Sequence, residues 1–127
     1  MHELSVALNL IELVTERANS AGAGRVEVVH LRLGRLAGVA ADALAFSFEI
    51  ASRGTPVEGA RLVIEEVAVS VFCPQCEAER AVSEAEWLRC PICRSLAPDV
   101  AHGRELELTA LEVRDAVPGI DQVAPGA

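Results

Sequence analysis

All four cysteines of this chain fall in two CxxC pairs, Cys73-Pro74-Gln75-Cys76 and Cys90-Pro91-Ile92-Cys93, with thirteen residues between them. A linker of that length lets both knuckles close on one ion, and four thiolates in a tetrahedron suit Zn(II). Disulfides are the competing use, but so regular a doubled knuckle in a chain with no visible secretory signal points to reduced thiols. Whatever else the chain folds into, these two segments must converge. Four protein ligands also fill the coordination sphere, whereas a catalytic zinc keeps one position open. Cys73, Cys76, Cys90 and Cys93 therefore read as ligands of a structural Zn(II), and the function must be sought elsewhere.

A chain of 127 residues has room for one compact domain and a small metal-stapled lobe. Half its residues are apolar, yet no apolar run approaches the length of a bilayer span, so a membrane protein is not expected. The opening Met1-His2-Glu3 shows neither a basic region nor a cleavage site, which makes the cytoplasm the expected location. The net charge is −8 and every basic residue is arginine. An acidic surface repels phosphate backbones, and with no tyrosine, three phenylalanines and one tryptophan there is little on which bases could stack. Nucleic acid is thus a poor partner. The absence of lysine excludes lysine Schiff-base and P-loop chemistry, GxSxG and GxGxxG are missing too, and no enzyme is expected.

Periodicity sets the organisation. Between Glu3 and Ser20, Leu4, Leu8, Ile11 and Ala18 form a helical stripe widened by Val6, Leu10 and Leu13, and Ala21-Gly22-Ala23-Gly24 ends it. A β-branched run from Arg25 to Leu33 predicts a strand whose apolar parity changes midway, from Val26 and Val28 to Val29, Leu31 and Leu33. A second helix is predicted over Ala40 to Ala51, with Leu44 and Phe48 one turn apart and Ser52-Arg53-Gly54-Thr55-Pro56 as its stop. Strands follow at Arg61–Val69 and Glu105–Val113. The expected fold is α+β: a small mixed sheet of about three strands packed with two helices, carrying an inserted zinc-ribbon-like lobe. Residues 1–70 plus 102–114 make the α/β domain, 71–101 the zinc lobe, whose single Trp87 gives it too little core to fold unaided, and 115–127 a disordered tail rich in Pro and Gly.

The second unusual feature is the histidine at position 2. The α-amine of Met1, the His2 imidazole and the His2 amide can close adjacent chelate rings, and the amide or carboxylate of Glu3 can complete a plane. Nitrogen-rich planar sites suit Ni(II) or Cu(II) rather than Zn(II). Any chain with histidine second has the same atoms, and most such residues are solvated termini. A helix N-terminus also disfavours a cation, a cost that Glu3 partly offsets.

Several motifs, in order, resemble those of the HypA/HybF family of hydrogenase-maturation nickel chaperones: Met1-His2-Glu3-Leu4-Ser5, Arg25-Val26, Leu33-Gly34-Arg35-Leu36-Ala37-Gly38-Val39, Phe46-Ser47-Phe48-Glu49, Gly54-Thr55-Pro56-Val57-Glu58-Gly59-Ala60, both CxxC pairs and Gly103-Arg104-Glu105-Leu106. The likeness runs from Met1 to about Arg114. It implies that His2, with the Met1 amine and the backbone of His2 and Glu3, binds Ni(II), that Glu3 holds the nickel site or its approach, and that the four cysteines bind Zn(II). It also implies delivery of nickel to the [NiFe]-hydrogenase large subunit together with a HypB-type nickel GTPase, and leaves room for a homodimer. One departure is Arg94, where the family's second knuckle usually continues with glycine; another is Ala37, where serine is common.

Two rival readings use the cysteines alone. A zinc-ribbon nucleic-acid adaptor would show salt-sensitive DNA or RNA binding, and a rubredoxin-like electron carrier would be coloured and redox-active with iron. Neither gives His2 a task. His30, inside the first strand, reads as a packed or edge-facing residue, and His102 as a neighbour of a metal whose four ligands are already in place. Glu77, Glu79, Glu84 and Glu86 read as a solvated face.

Overall fold

The structure, a computed structural model, describes residues 2–83 and 88–115. Eight elements follow in order: α1 (Glu3–Ser20), β1 (Ala23–Gly34), α2 (Ala41–Ala51), β2 (Arg61–Val67), β3 (Ser70–Cys73), β4 (Ala78–Ala81), β5 (Asp99–His102) and β6 (Leu106–Asp115). They form two three-stranded sheets, one ordered β2-β1-β6 and the other β4-β3-β5. The first sheet consists of the three strands that the sequence predicts. The fold is α+β, with the four cysteines in a zinc-ribbon-like lobe. Trp87, Glu84, Glu86 and the tail after Asp115 lie outside the described residues, and Asp115 itself closes β6.

Two compact units divide the described residues. The first holds 2–31, 40–64 and 108–115. In it α1 packs on α2, and the buried residues of α1 are Ala7, Leu10, Ile11, Val14 and Ala18. Ile11 and Ala18 of the expected stripe and Leu10 of its widening are among them, but Ala7 and Val14 are buried where the sequence predicts Leu4 and Leu8. Leu4 and Leu8 are 55% and 52% exposed, because the apolar arc of α1 is wider than the arc its neighbours cover and these two leucines fall on its flank. On α2 the expected pair, Leu44 and Phe48, is buried, each side chain contributing about 1.5–3 kcal/mol of apolar burial. The stop after α2 is a run of local hydrogen bonds: the Ser52 hydroxyl donates to the Glu49 carbonyl, and the Thr55 hydroxyl to that of Ser52. In β1 Val26, Val28, Val29 and Leu31 are all buried, so the parity change read in the sequence is present in the burial itself.

The second unit holds 32–39, 65–83 and 88–107. Its sheet pairs β3 antiparallel to β4, with Val71 opposite Arg80 and Cys73 opposite Ala78, and antiparallel to β5, with a register shift between Ser70 and Val71. At the end of β1 the chain passes so close to the segment after β5 that side chains have no room. The Gly34 amide donates to the Glu105 carbonyl at 2.7 Å, and the Leu36 amide to the Gly103 carbonyl at 2.6 Å. A Cβ on Gly34 would lie 2.1 Å from the Gly103 carbonyl oxygen. Gly103, at φ 126°, sits where other residues are strained, and its own Cβ would press on the Val69 backbone at 3.2 Å. Two separate sequence motifs, one around Gly34 and one around Gly103, thus have a single cause, the approach of two backbones. Gly34→Ala should destabilise the protein by about 3 kcal/mol, the upper end of what overpacking costs, because backbone cannot rotate away as a side chain would. Chemical denaturation checks this; an unchanged midpoint would mean the two segments separate at no cost.

Candidate metal centres

The first centre is built by two tight turns. The chain leaves β3 at Cys73, and the Cys76 amide turns back to donate to the Cys73 sulfur at 3.3 Å. In the second turn the amides of Ile92 and Cys93 donate to the Cys90 sulfur at 3.4 and 3.5 Å, while the Arg94 amide reaches the Cys90 carbonyl and the Cys90 amide the Ser95 carbonyl. The two turns match. In each, the first cysteine is fully buried, the second is half-buried, and the residue that follows has positive φ, 54° at Glu77 and 67° at Arg94. The four sulfurs lie within 4.8 Å of one another.

Spacing and chemistry both fit zinc. Tetrahedral Zn–S bonds of about 2.3 Å put the sulfurs about 3.8 Å apart. Cys73 to Cys93 is 3.5 Å and Cys76 to Cys90 is 3.9 Å, which bracket that edge. Protonation in the cluster is uneven. The Cys93 amide, with that of Ile92, holds the Cys90 thiol down to about 6, and Ser95 lowers Cys93. Cys76 is pushed up to about 11: the Arg80 guanidinium favours its thiolate, but Cys93, burial, Cys73 and Cys90 together outweigh it. Sulfurs this close do not all carry charge unless a cation sits among them. Val71 and Ala97 close the buried cluster, with Val82 packed against it.

The second centre is the start of α1. His2 is the residue before the first helical turn, its carbonyl accepting the Val6 amide at 2.9 Å, and its exposed side chain makes no capping bond. Helix geometry leaves the first N–H groups out of the i→i−4 ladder, so the backbone nitrogens of His2 and Glu3 stand at the end that hydrogen bonding within the helix does not consume. Glu3 turns to α2: its carboxylate accepts the Ala40 amide at 3.0 Å, at the residue that precedes that helix. The Ala40 N–H foremost holds the Glu3 carboxyl down to about 2. Ala40 has no sequence signal for this task, since it acts through its backbone. Met1 lies outside the described residues.

The other histidines have carboxylate partners. His30 Nε2 lies 2.6 Å from Glu112, and the His30 carbonyl accepts the Thr109 hydroxyl. His102 Nδ1 lies 2.9 Å from Glu105 and its Nε2 3.6 Å from Glu79. The His102 side chain foremost lowers the Glu105 carboxyl to about 2. Among the described residues the only group placed to hold an ion by mutual distance is the four cysteines, and neither histidine joins it. Glu77 and Glu79 are exposed, but Glu79 is not simply solvated: it accepts the Ser70 hydroxyl at 2.7 Å and lies beside His102.

A family described as hydrogenase/urease nickel incorporation, metallochaperone, hypA matches residues 1–113. The chain is 54% identical over 112 residues to a hydrogenase maturation factor HypA of Chloroflexus aurantiacus, covering 88% of this chain and 98% of that protein. It is 50% identical over 118 residues to the corresponding factor of a Roseiflexus species, covering 93% and 96%. Among solved structures, the Ni metallochaperone HypA from Helicobacter pylori superposes with a TM-score of 0.67 at 26% identity, covering 91% of this chain and all of that one.

Arg94 supplies a local test. A residue with a Cβ in the left-handed region costs about 1 kcal/mol more than glycine there, and Arg94 occupies it in the second knuckle. Arg94→Gly should stabilise the zinc-loaded lobe by about 0.5–1 kcal/mol. Denaturation of the zinc-loaded variant and parent compares them; a loss of stability would show that the arginine side chain outweighs the strain.

Proposed function

The chain belongs to the HypA family of nickel-incorporation metallochaperones, and we propose that it takes up Ni(II) at its own amino terminus, through the Met1 amine, the His2 imidazole and the backbone nitrogens of His2 and Glu3. The family is one of nickel incorporation into hydrogenase or urease, and its similar members are named hydrogenase maturation factors. What supports the amino-terminal site is the position of His2: an exposed imidazole just ahead of α1, beside backbone nitrogens that the helix does not use. Nitrogen donors in that arrangement suit Ni(II). Glu3 acts as a positioning residue. By holding Ala40 at the start of α2 it fixes the first turn of α1, and its charge offsets the unfavourable field that a helix N-terminus presents to a cation.

In the same proposal Cys73, Cys76, Cys90 and Cys93 hold structural Zn(II), and residues 71–101 depend on it for their fold. The ion supplies binding energy that a lobe with so few buried apolar side chains lacks. The nickel passes to the [NiFe]-hydrogenase large subunit, with a HypB-type GTPase as the partner in transfer, in the cytoplasm; a homodimer is compatible with this. No described helix is long and apolar enough to cross a membrane.

His2→Ala separates the two metals. Nickel binding should fall by at least about 10-fold through loss of a ligand, with zinc content and fold unchanged because the thiolate site belongs to the other unit and differs in softness. An N-terminal extension, which turns the Met1 amine into an amide, should have a similar effect. Native mass spectrometry and Ni(II) titration of the untagged, extended and His2→Ala proteins read both metals; equal nickel affinities would sink the amino-terminal site. In a companion variant, Cys73→Ala should remove amide protection from 71–101, and protection that persists without zinc would refute zinc-dependent folding.

Glu3 adds a pH signature. Its folded pKa of about 2 lies below the ordinary 4.5, so the stabilisation it gives is complete above 4.5 and is lost as pH falls toward 2. The Ala40 amide resonance should accordingly titrate with a midpoint near 2. A midpoint near 4.5 would mean that the contact with Ala40 does not hold in solution.

A further inference from the structure

Arg80 is the one cationic side chain of β4, and it points the wrong way for a surface arginine. Along that strand Glu79 and Ala81 are exposed, while Ala78 and Arg80 are half-buried. The register places Arg80 opposite Val71, which is fully buried, and Val71 shares its side of β3 with Cys73. The same alternation carries on to Val82, which packs against the cysteine cluster. The guanidinium therefore enters the sulfur-lined side of the hairpin. Its Nε is buried and, among the described residues, has no hydrogen-bond partner.

A half-buried guanidinium whose Nε is shut off from water needs an anionic or accepting group beside it. Among the described residues, the carboxylates of this unit that form ion pairs look elsewhere: Glu65 and Glu107 face Arg32, and Glu79 and Glu105 face His102. The register puts Arg80 on the side of the hairpin where Val71, Cys73 and Cys90 are buried and Cys76 packs against them, so sulfur is the polar group on its side. In keeping with that placement, Cys76 foremost, and then Cys90, raises the Arg80 pKa. The tetrathiolate has the complementary need, since four thiolates around one divalent ion leave an excess of two negative charges in a partly buried setting.

We propose that Arg80 belongs to the zinc centre as its counter-charge, a positioning residue whose guanidinium donates to the sulfurs of Cys76 and Cys90 and offsets the surplus negative charge of the four thiolates. This rests on the zinc reading of the cysteines and adds to it a residue outside the CxxC pairs. Outer-sphere donors of this kind lower the electron density on sulfur, so bound thiolates become poorer nucleophiles and the ion is released less readily. Because the effect depends on positive charge and on N–H donors, lysine should keep most of it and glutamine should lose the charge.

The test uses the full-length zinc-loaded protein, Arg80→Gln and Arg80→Lys, with three readouts: zinc transfer to a competing chelator, alkylation of the zinc-bound thiolates, and the spectrum of the Co(II)-substituted site. Arg80→Gln should lose zinc to the chelator roughly 10- to 100-fold more readily and be alkylated faster. Its Co(II) spectrum should stay tetrahedral, showing that the ligands remain in place, and Arg80→Lys should recover most of the retention. Zinc transfer by Arg80→Gln at the parent rate would overturn the proposal. So would equal defects in both variants with a lost tetrahedral spectrum, since Arg80 would then be filling space rather than supplying charge. A parent protein that binds no zinc would instead overturn the zinc reading, which keeps the two failures apart.

Discussion

Four sulfur atoms that converge within 4.8 Å cannot all be thiolates unless a cation sits among them. Thiols would leave the centre crowded and uncharged; thiolates without an ion would repel one another strongly in a partly buried site. The surroundings already lean toward the charged form at part of the centre, where backbone amides of the second knuckle hold Cys90 down to about 6. Strand β3 ends at Cys73, β4 returns from the first knuckle, and Ala97 beyond the second completes the same buried cluster. The short strands of this unit are therefore arranged around the sulfurs rather than around a conventional apolar core.

The amino-terminal centre follows a different logic. The thiolate site offers soft donors fixed by two turns, whereas the start of α1 offers one imidazole and backbone nitrogens that helix geometry leaves outside the ladder. A tetrahedral sulfur site and a nitrogen-rich planar one favour different metals, so a protein that keeps one ion and carries another has reason to build them from different ligand types. The two donor sets fall in different compact units, so under the function proposed above a resident ion would stabilise one unit without competing for the donors of the other.

Motifs far apart in the sequence can share one physical cause. The glycine in Leu33-Gly34-Arg35 and the one in His102-Gly103-Arg104 are two sides of one backbone approach, with hydrogen bonds of 2.7 and 2.6 Å across it. Arg94 departs from the glycine usual in its family, yet the chain takes the left-handed turn there all the same, as it does at Glu77 in the first knuckle. The ligand geometry demands that turn, and the residue present accepts the strain. Glu3, part of the opening motif, has a partner thirty-seven residues away in the Ala40 amide.

The amino-acid sequence by itself determined what depends on local spacing. The bounds of α1 follow from its periodicity and the glycines after it, the three long strands from their β-branched runs, and the zinc ligand set from two CxxC pairs a short linker apart. Tertiary structure decided whatever depends on which neighbour arrives. The apolar arc of α1 is broad enough that the sequence favours Leu4 and Leu8, but packing buries Ala7 and Val14 and leaves the two leucines exposed. His30 carries no local hint that Glu112 is its partner, nor His102 that Glu79 approaches it, and Arg80 resembles any other arginine until register sets it opposite Val71, on the side of the cysteines. Spacing along a chain fixes which atoms a segment can offer, and only long-range packing fixes what they meet.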